Sequence, residues 1–269
     1  MTATTKQLAV IAGDGTLPSI LVNRLTELKL LSLLIVLQGN ADRFKFPKEM
    51  TFEMAPGAVA AILELLEKNG IEEIIMIGKI DKRAFVAREQ FDDHARELVK
   101  RLNDGKDLNI FHLVLAELNR IGIEIIPQDR YLATLLLPEG VLTDRILTEE
   151  ERADVIFGMD LAKKTATLDI GQTVIVKNGT ILAVEAIEGT DEAIKRGGQY
   201  GNGGAVVCKA ARENQDPRFD IPTIGVTTIE TMSRHGCAVL AGEAGKIFIA
   251  DREAVLQAAN RRGIAIMGV

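Results

Sequence analysis

The sequence predicts an α/β protein, with an amino-terminal domain on a parallel sheet and a carboxy-terminal domain of mixed α/β type. Three observations lead there. Trp is absent and only 2 Tyr and 9 Phe occur among 269 residues, so the core must be built from Ile, Leu, Val and Ala, as in parallel sheets covered by helices. The first half alternates short apolar runs with stretches of helical period. The second half sets Asn178-Gly179 between two β-branched runs, a hairpin signal and therefore an antiparallel element.

Residues 7–12 (QLAVIA) form the first expected strand, which runs into Gly13-Asp14-Gly15-Thr16-Leu17-Pro18. Ile20, Leu21, Arg24, Leu25 and Leu28 then follow a helical period. Strand, glycine turn and helix in this order bring helix-start amides to the carboxyl end of a strand, where phosphates bind. Gly13, Asp14, Gly15, Thr16 and Leu17 are therefore candidate nucleotide contacts, with a structural turn as the alternative. Pro18 stands where a dinucleotide fingerprint has its third glycine, and it suits a helix start better than close pyrophosphate packing. Gly78-Lys79, Gly105-Lys106 and Gly245-Lys246 lack the following Ser or Thr of a Walker loop.

The unit then repeats. Residues 31–37 read as a buried strand, 57–68 as an amphipathic helix closed by Asn69-Gly70, and 74–77 as another buried strand. That strand opens into Gly78-Lys79-Ile80-Asp81-Lys82-Arg83, where Lys79, Lys82 and Arg83 would meet an anion above the sheet or form a solvated loop. Helical period returns over 91–102 and 108–121, and 123–126 is a short strand. His94 and His112 have no second ligand at i+4 and read as structural or exposed.

Residues 1–128 thus form the first domain, 129–148 a linker and 149–269 the second domain. Thr148 and Glu151 make a capping box, starting a helix that runs to about residue 165. After the hairpin, Glu185, Glu188, Gly189, Thr190 and Asp191 gather at a strand end, with Thr190 or Asp191 as the next helix cap. Residues 197–204 (GGQYGNGG) look too rich in glycine for a regular element and suggest a flap or a flexible tip. A buried strand follows and ends at Lys209.

In extended backbone Asp216, Arg218 and Asp220 would share one face, setting two carboxylates around a guanidinium. Such a set suits a divalent cation or a water beside phosphate oxygens, and equally an ion-paired loop. The tail reads as a helix capped by Thr227 or Thr228, strands at 237–240 and 246–249, a helix capped by Asp251, and a last strand at 264–267.

Formal net charge is -6 with a pI near 5.3, which argues against a nucleic-acid partner while leaving room for a small phosphorylated ligand held by backbone amides. Cys208 and Cys237 lie in apolar runs without metal-ligand spacing and read as buried thiols of a reducing compartment. No apolar run approaches the ~20 residues of a membrane span, and residues 1–7 do not resemble a signal peptide, so a cytoplasmic protein is expected.

The ordered motifs IAGDGTLP (11–18), LDIGQ (168–172), AVEAIEGTD (183–191), QDPRFDIPTIG (215–225) and AGEAG (241–245) carry a resemblance. The chain resembles the cytoplasmic UDP-2,3-diacylglucosamine pyrophosphatases of lipid A biosynthesis, in the type unrelated to metallophosphoesterases. The resemblance implies a Rossmann-like amino-terminal domain, a carboxy-terminal domain of its own type, substrate held between them, and a homodimer. It implies Mg²⁺-dependent (or other divalent-metal-dependent) cleavage of a UDP-linked diacylated glucosamine, with at most transient contact with the inner membrane. The family's essential aspartate falls in the segment matching QDPRFDIP, on Asp216 or Asp220, with Asp220 favoured.

On that basis Asp220, Asp216 and Arg218 are the expected catalytic residues, and Asp220, Asp216 and Asp191 the expected metal ligands. Lys79, Glu188, Thr190, Asp191 and Lys209 join residues 13–17 as expected substrate contacts. Leu132, Leu135, Leu136, Leu137, Val141 and Leu142 offer an apolar home for acyl chains, or simply core. The rival reading is a non-catalytic sugar-nucleotide-binding protein; a nicotinamide oxidoreductase is disfavoured by Pro18 and by the lack of a hydride-transfer His or Tyr.

Overall fold

A computed structural model describes residues 6–37, 41–79, 91–101 and 107–269, so the expectations on Lys82, Arg83 and Gly105-Lys106 lie outside the described residues. The chain divides into two compact units, Met1–Leu132 with Pro217–Asp220, and Ala133–Asp216 with Ile221–Val269.

The first unit carries strands β1 (Leu8–Ala12), β2 (Leu31–Val36), β3 (Thr51–Glu53), β4 (Glu73–Ile77) and β5 (Glu124–Ile125), in the order β3-β2-β1-β4-β5 and all parallel. Around them run helices α1 (Leu17–Glu27), α2 (Val59–Lys68), α3 (Asp93–Lys100), α4 (Asp107–Arg120) and the short α5 (Asp129–Leu132). β1 is buried along its whole length, which is why LAVIA is a continuous apolar run rather than an alternating one. The chain leaves β1 toward β2 on one side and returns as β4 on the other, a topological switch point of the Rossmann-like kind. Ala12 is in register with Val36 and Ile77, so Gly13, Leu37 and Gly78 leave the same edge of the sheet.

The second unit holds a six-stranded mixed sheet. Its strands are β6 (Gly140–Val141), β7 (Thr173–Lys177), β8 (Thr180–Val184), β9 (Ala205–Lys209), β11 (Cys237–Gly242) and β13 (Ala265–Gly268), in the order β6-β13-β11-β9-β7-β8. Strands β10 (Thr223–Ile224) and β12 (Phe248–Ile249) pair apart from it. Helix α6 (Glu149–Thr167) packs Val155, Met159 and Ala162 against Val174, Val206 and Cys208. Helices α7 (Thr190–Gly201), α8 (Val226–Arg234) and α9 (Arg252–Arg261) supply Ile194, Ile229 and Val255 to the other core.

Several local expectations hold. Thr148 and Glu151 form the reciprocal capping box of α6. Asn178 and Gly179, with φ of 50° and 68°, turn β7 into β8, and both carboxylate oxygens of the buried Asp154 accept from their backbone N–H groups at 2.7 Å. Pro18 lies in the first turn of α1. Both cysteines are free and buried, and burial pushes the Cys237 thiol up to about 12. Leu132 and Leu137 are core residues.

Others are corrected. The glycine-rich 197–204 stretch is no flap: α7 continues through Gly201, and Gly197, Gly198 and Gly201 are buried. A Cβ on Gly197 would stand 2.7 Å from Ile175 Cβ, and one on Gly198 would meet the His235 carbonyl oxygen. These glycines let a helix lie flat on its neighbours, and freedom of backbone is needed only from Asn202 and Gly203 onward, where φ turns positive. Thr190 is not a cap but the first residue of α7, behind Gly189 with φ of 86°. Gly225 precedes α8 in the place expected of Thr227 or Thr228. Residues 217–219 form a turn, so Asp216, Arg218 and Asp220 do not follow the period of an extended strand.

Candidate functional site

In the first unit, the turn after β1 is locked to the end of β4. Asp14 and Lys79 exchange backbone hydrogen bonds of 2.8 and 2.9 Å. A Cβ on Gly13 would lie 2.5 Å from the Lys79 carbonyl oxygen, and one on Gly78 would lie 2.7 Å from Pro18 Cγ, so this contact requires both glycines. The Asp14 carboxylate stays largely exposed, yet the backbone N–H of Gly15 and the guanidinium of Arg43 hold it below the usual carboxylate range. Arg43 donates through Nη1 to Asp14 at 2.9 Å and through Nη2 to the Gly13 carbonyl at 2.5 Å. It also lies over the Phe44 ring at 4.6 Å, while its buried Nε has no partner among the described residues.

Gly13, Asp14, Gly15, Thr16 and Leu17 form the turn and the start of α1, with Lys79 joined to Asp14 through its backbone. Sequence reasoning missed Arg43. Its only signal was position, a cation in the loop beyond the carboxyl end of β2, and nothing local tied it to Asp14.

The turn bearing Arg218 and Asp220 belongs to the first unit although the chain reaches it from the second. Gln128, only 4% exposed, holds it there. Its backbone N–H donates to the Pro217 carbonyl at 2.9 Å, and its side-chain Nε2 donates to Phe219 at 3.1 Å and to Met76 on β4 at 2.8 Å. Phe219 packs on the core that contains Ile74, Leu118 and Ile125. Asp220 is exposed and Asp216 half-buried. Gln128 was a second omission, since no motif marked it.

In the second unit three motifs meet at one end of the sheet. Lys209 is in register with Thr173 on one side and Gly242 on the other, and the Glu185 N–H donates to the Thr173 carbonyl at 2.8 Å. The buried Lys209 ammonium donates to Thr190 Oγ1 at 2.8 Å, and Thr190 Oγ1 donates to Glu185 Oε1 at 2.9 Å. Glu185 Oε2 is buried with no hydrogen-bond partner among the described residues. A Cβ on Gly171, in the LDIGQ motif, would collide with the Glu185 carbonyl. Glu243 of AGEAG accepts from Ala211 N–H at 3.1 Å and pairs with Lys246 at 2.8 Å.

Thr190 and Lys209 are thus brought together with Glu185 of the same acidic strand end, and with Thr173 and Glu243 as neighbours that spacing did not single out. Glu188 points elsewhere, pairing with Arg196, and its backbone surroundings together with that guanidinium lower its pKa. Asp191 is exposed in the first turn of α7. Among the described residues no three His, Cys, Asp or Glu side chains stand close enough to hold a metal ion.

The model of the LpxI N-terminal domain matches residues 7–135, and that of the LpxI C-terminal domain matches residues 138–267. The chain belongs to the LpxI family. The relative named UDP-2,3-diacylglucosamine pyrophosphatase LpxI, from Caulobacter vibrioides, is 30% identical over 275 residues, covering 98% of each chain. The resemblance read from the five motifs is therefore a true family relationship. The LpxI C-terminal match takes in the Glu185, Thr190 and Lys209 cluster, and the LpxI N-terminal match the turn at Asp14.

Proposed function

We propose that this protein hydrolyses the pyrophosphate of UDP-2,3-diacylglucosamine to UMP and 2,3-diacylglucosamine 1-phosphate in lipid A biosynthesis. The observation that carries the reading is the relative of that name, matched over 98% of both chains, so neither unit lacks a counterpart. The physical chemistry agrees. Helix-start amides beside Asp14 suit the polar groups of a nucleotide, and a buried ammonium beside a hydroxyl at the other sheet's end suits an anion.

In this reading a water oxygen attacks the α phosphorus, its P–O bond forms as the bridging P–O bond breaks, and the sugar 1-phosphate departs. Asp220 orients that water and takes its proton, while Arg218 offsets phosphate charge and Asp216 supports the pair. Lys79, Glu188, Thr190, Asp191 and Lys209 serve the substrate. A divalent cation belongs to the proposal as a companion of the pyrophosphate, because Mg²⁺ is commonly shared between one or two carboxylates and phosphate oxygens. Asp220, Asp216 and Asp191 are the carboxylates proposed to meet it.

The enzyme is further proposed to act in the cytoplasm as a homodimer with brief contact with the inner membrane. Among the described residues no helix is long and apolar enough to cross a membrane.

Purified protein incubated with UDP-2,3-diacylglucosamine and Mg²⁺ in ¹⁸O-labelled water should release UMP carrying the label. Label in the sugar phosphate would move the attack to the β phosphorus. Thermal protection by the substrate without any UMP would leave the non-catalytic binding protein as the reading.

A further inference from the structure

We infer that Gln128 is a positioning residue for the reaction, fixing the Asp220 turn to the first unit through a side-chain amide that serves two carbonyls at once. The inference rests on the proposed role of Asp220. Gln128 makes three hydrogen bonds, backbone N–H to the Pro217 carbonyl and Nε2 to the Phe219 and Met76 carbonyls. A primary amide has two N–H donors on one nitrogen, and both are used here.

The Met76 carbonyl is on β4, two residues before Gly78 and three before Lys79. Gln128 therefore ties the turn to the same strand whose end is locked to Asp14. The nucleotide turn and the aspartate turn are both fastened to β4, which is how a loop arriving from the second half of the sequence becomes part of the first unit. The burial of Gln128 excludes water that would otherwise replace the amide on those carbonyls. Leu at this position fills a similar volume and donates nothing. Glu has the length, and donates a single hydrogen bond only when protonated.

The test uses the full chain with Gln128→Leu and Gln128→Glu, read first by hydrogen–deuterium exchange and then by turnover. Exchange in a peptide covering 217–220 should rise at least tenfold in Gln128→Leu, while peptides within β1 and α7 keep wild-type protection. Its kcat should fall ten- to a hundredfold with UMP affinity changed less than threefold. Gln128→Glu should regain activity relative to wild type as pH falls from 8 to 5.5, when the carboxyl becomes a donor. Unchanged exchange at 217–220 in a folded Gln128→Leu protein overturns the positioning role. Raised exchange with wild-type kcat keeps the anchor but removes its bearing on catalysis, and overturns the inference as stated. A wild-type chain that releases no UMP defeats the proposed function instead, and the exchange result distinguishes that failure from the first.

Discussion

Lys209 donates to the hydroxyl of Thr190 at 2.8 Å, and this decides the direction of a proton chain. An ammonium only donates and a carboxylate only accepts, so Thr190 must accept from Lys209 and give its own proton to Glu185 at 2.9 Å. Thr173, fully buried, lies 3.5 Å from the same oxygen. The hydroxyl links the two charged side chains of the cluster.

Thr190→Val keeps the shape and removes the hydroxyl. It should destabilise the protein by about 1–3 kcal/mol, the cost of leaving a buried hydrogen-bonding group unmatched, and reduce turnover at least tenfold. Thr190→Ser should restore most of both. Thermal melts and initial rates of UMP release check it, and equal melting of the Val and Ser variants would deny the hydroxyl any structural part.

Asp220→Ala should retain the fold and substrate affinity while losing turnover by a hundredfold or more, because its assigned role is in the transition state. Titration calorimetry with substrate and single-turnover rates separate the two. If Asp216→Ala loses turnover and Asp220→Ala does not, the essential carboxylate is Asp216, as the motif alone allowed.

The Gly15 N–H and the Arg43 guanidinium both favour the ionised form of Asp14, so its pKa lies below the ordinary 3.8. A depressed carboxyl pKa contributes stability that is complete above the ordinary value and disappears as pH falls through the lower folded one. Arg43→Ala should raise the Asp14 pKa in an NMR titration and lose less stability than wild type on acidification through that window. It should also weaken UMP binding; unaltered binding would confine Arg43 to fold support.

Gly198→Ala should be destabilising by about 1–3 kcal/mol through overpacking against the backbone of His235, and Gly197→Ala by a similar amount against Ile175. A mobile flap would tolerate both changes. Denaturant midpoints tell the two apart.

What was legible in the sequence was whatever depends on neighbours in the chain. The capping box of Thr148 and Glu151, the Asn178-Gly179 turn and the Pro18 helix start each arise within four residues, so the residues themselves reveal them. The fully apolar β1 declared a parallel strand for the same reason. The candidate turn at residues 13–17 was legible because a strand end, a glycine turn and a helix start follow each other directly. Arg43 and Gln128 were not, because their partners are 29 and 91 residues away and are reached only through strand register and packing.

By itself the sequence determined two α/β halves, the caps and turns that bound their elements, and five motifs specific enough to name a family. Tertiary structure decided what those motifs do in space. It turned a glycine-rich stretch into a tightly packed helix, since absence of Cβ means freedom on a surface and close approach in a core. It also assigned Pro217–Asp220 to the unit on the other side of the chain, since a buried amide and a phenyl ring secure the turn there regardless of its place in the sequence.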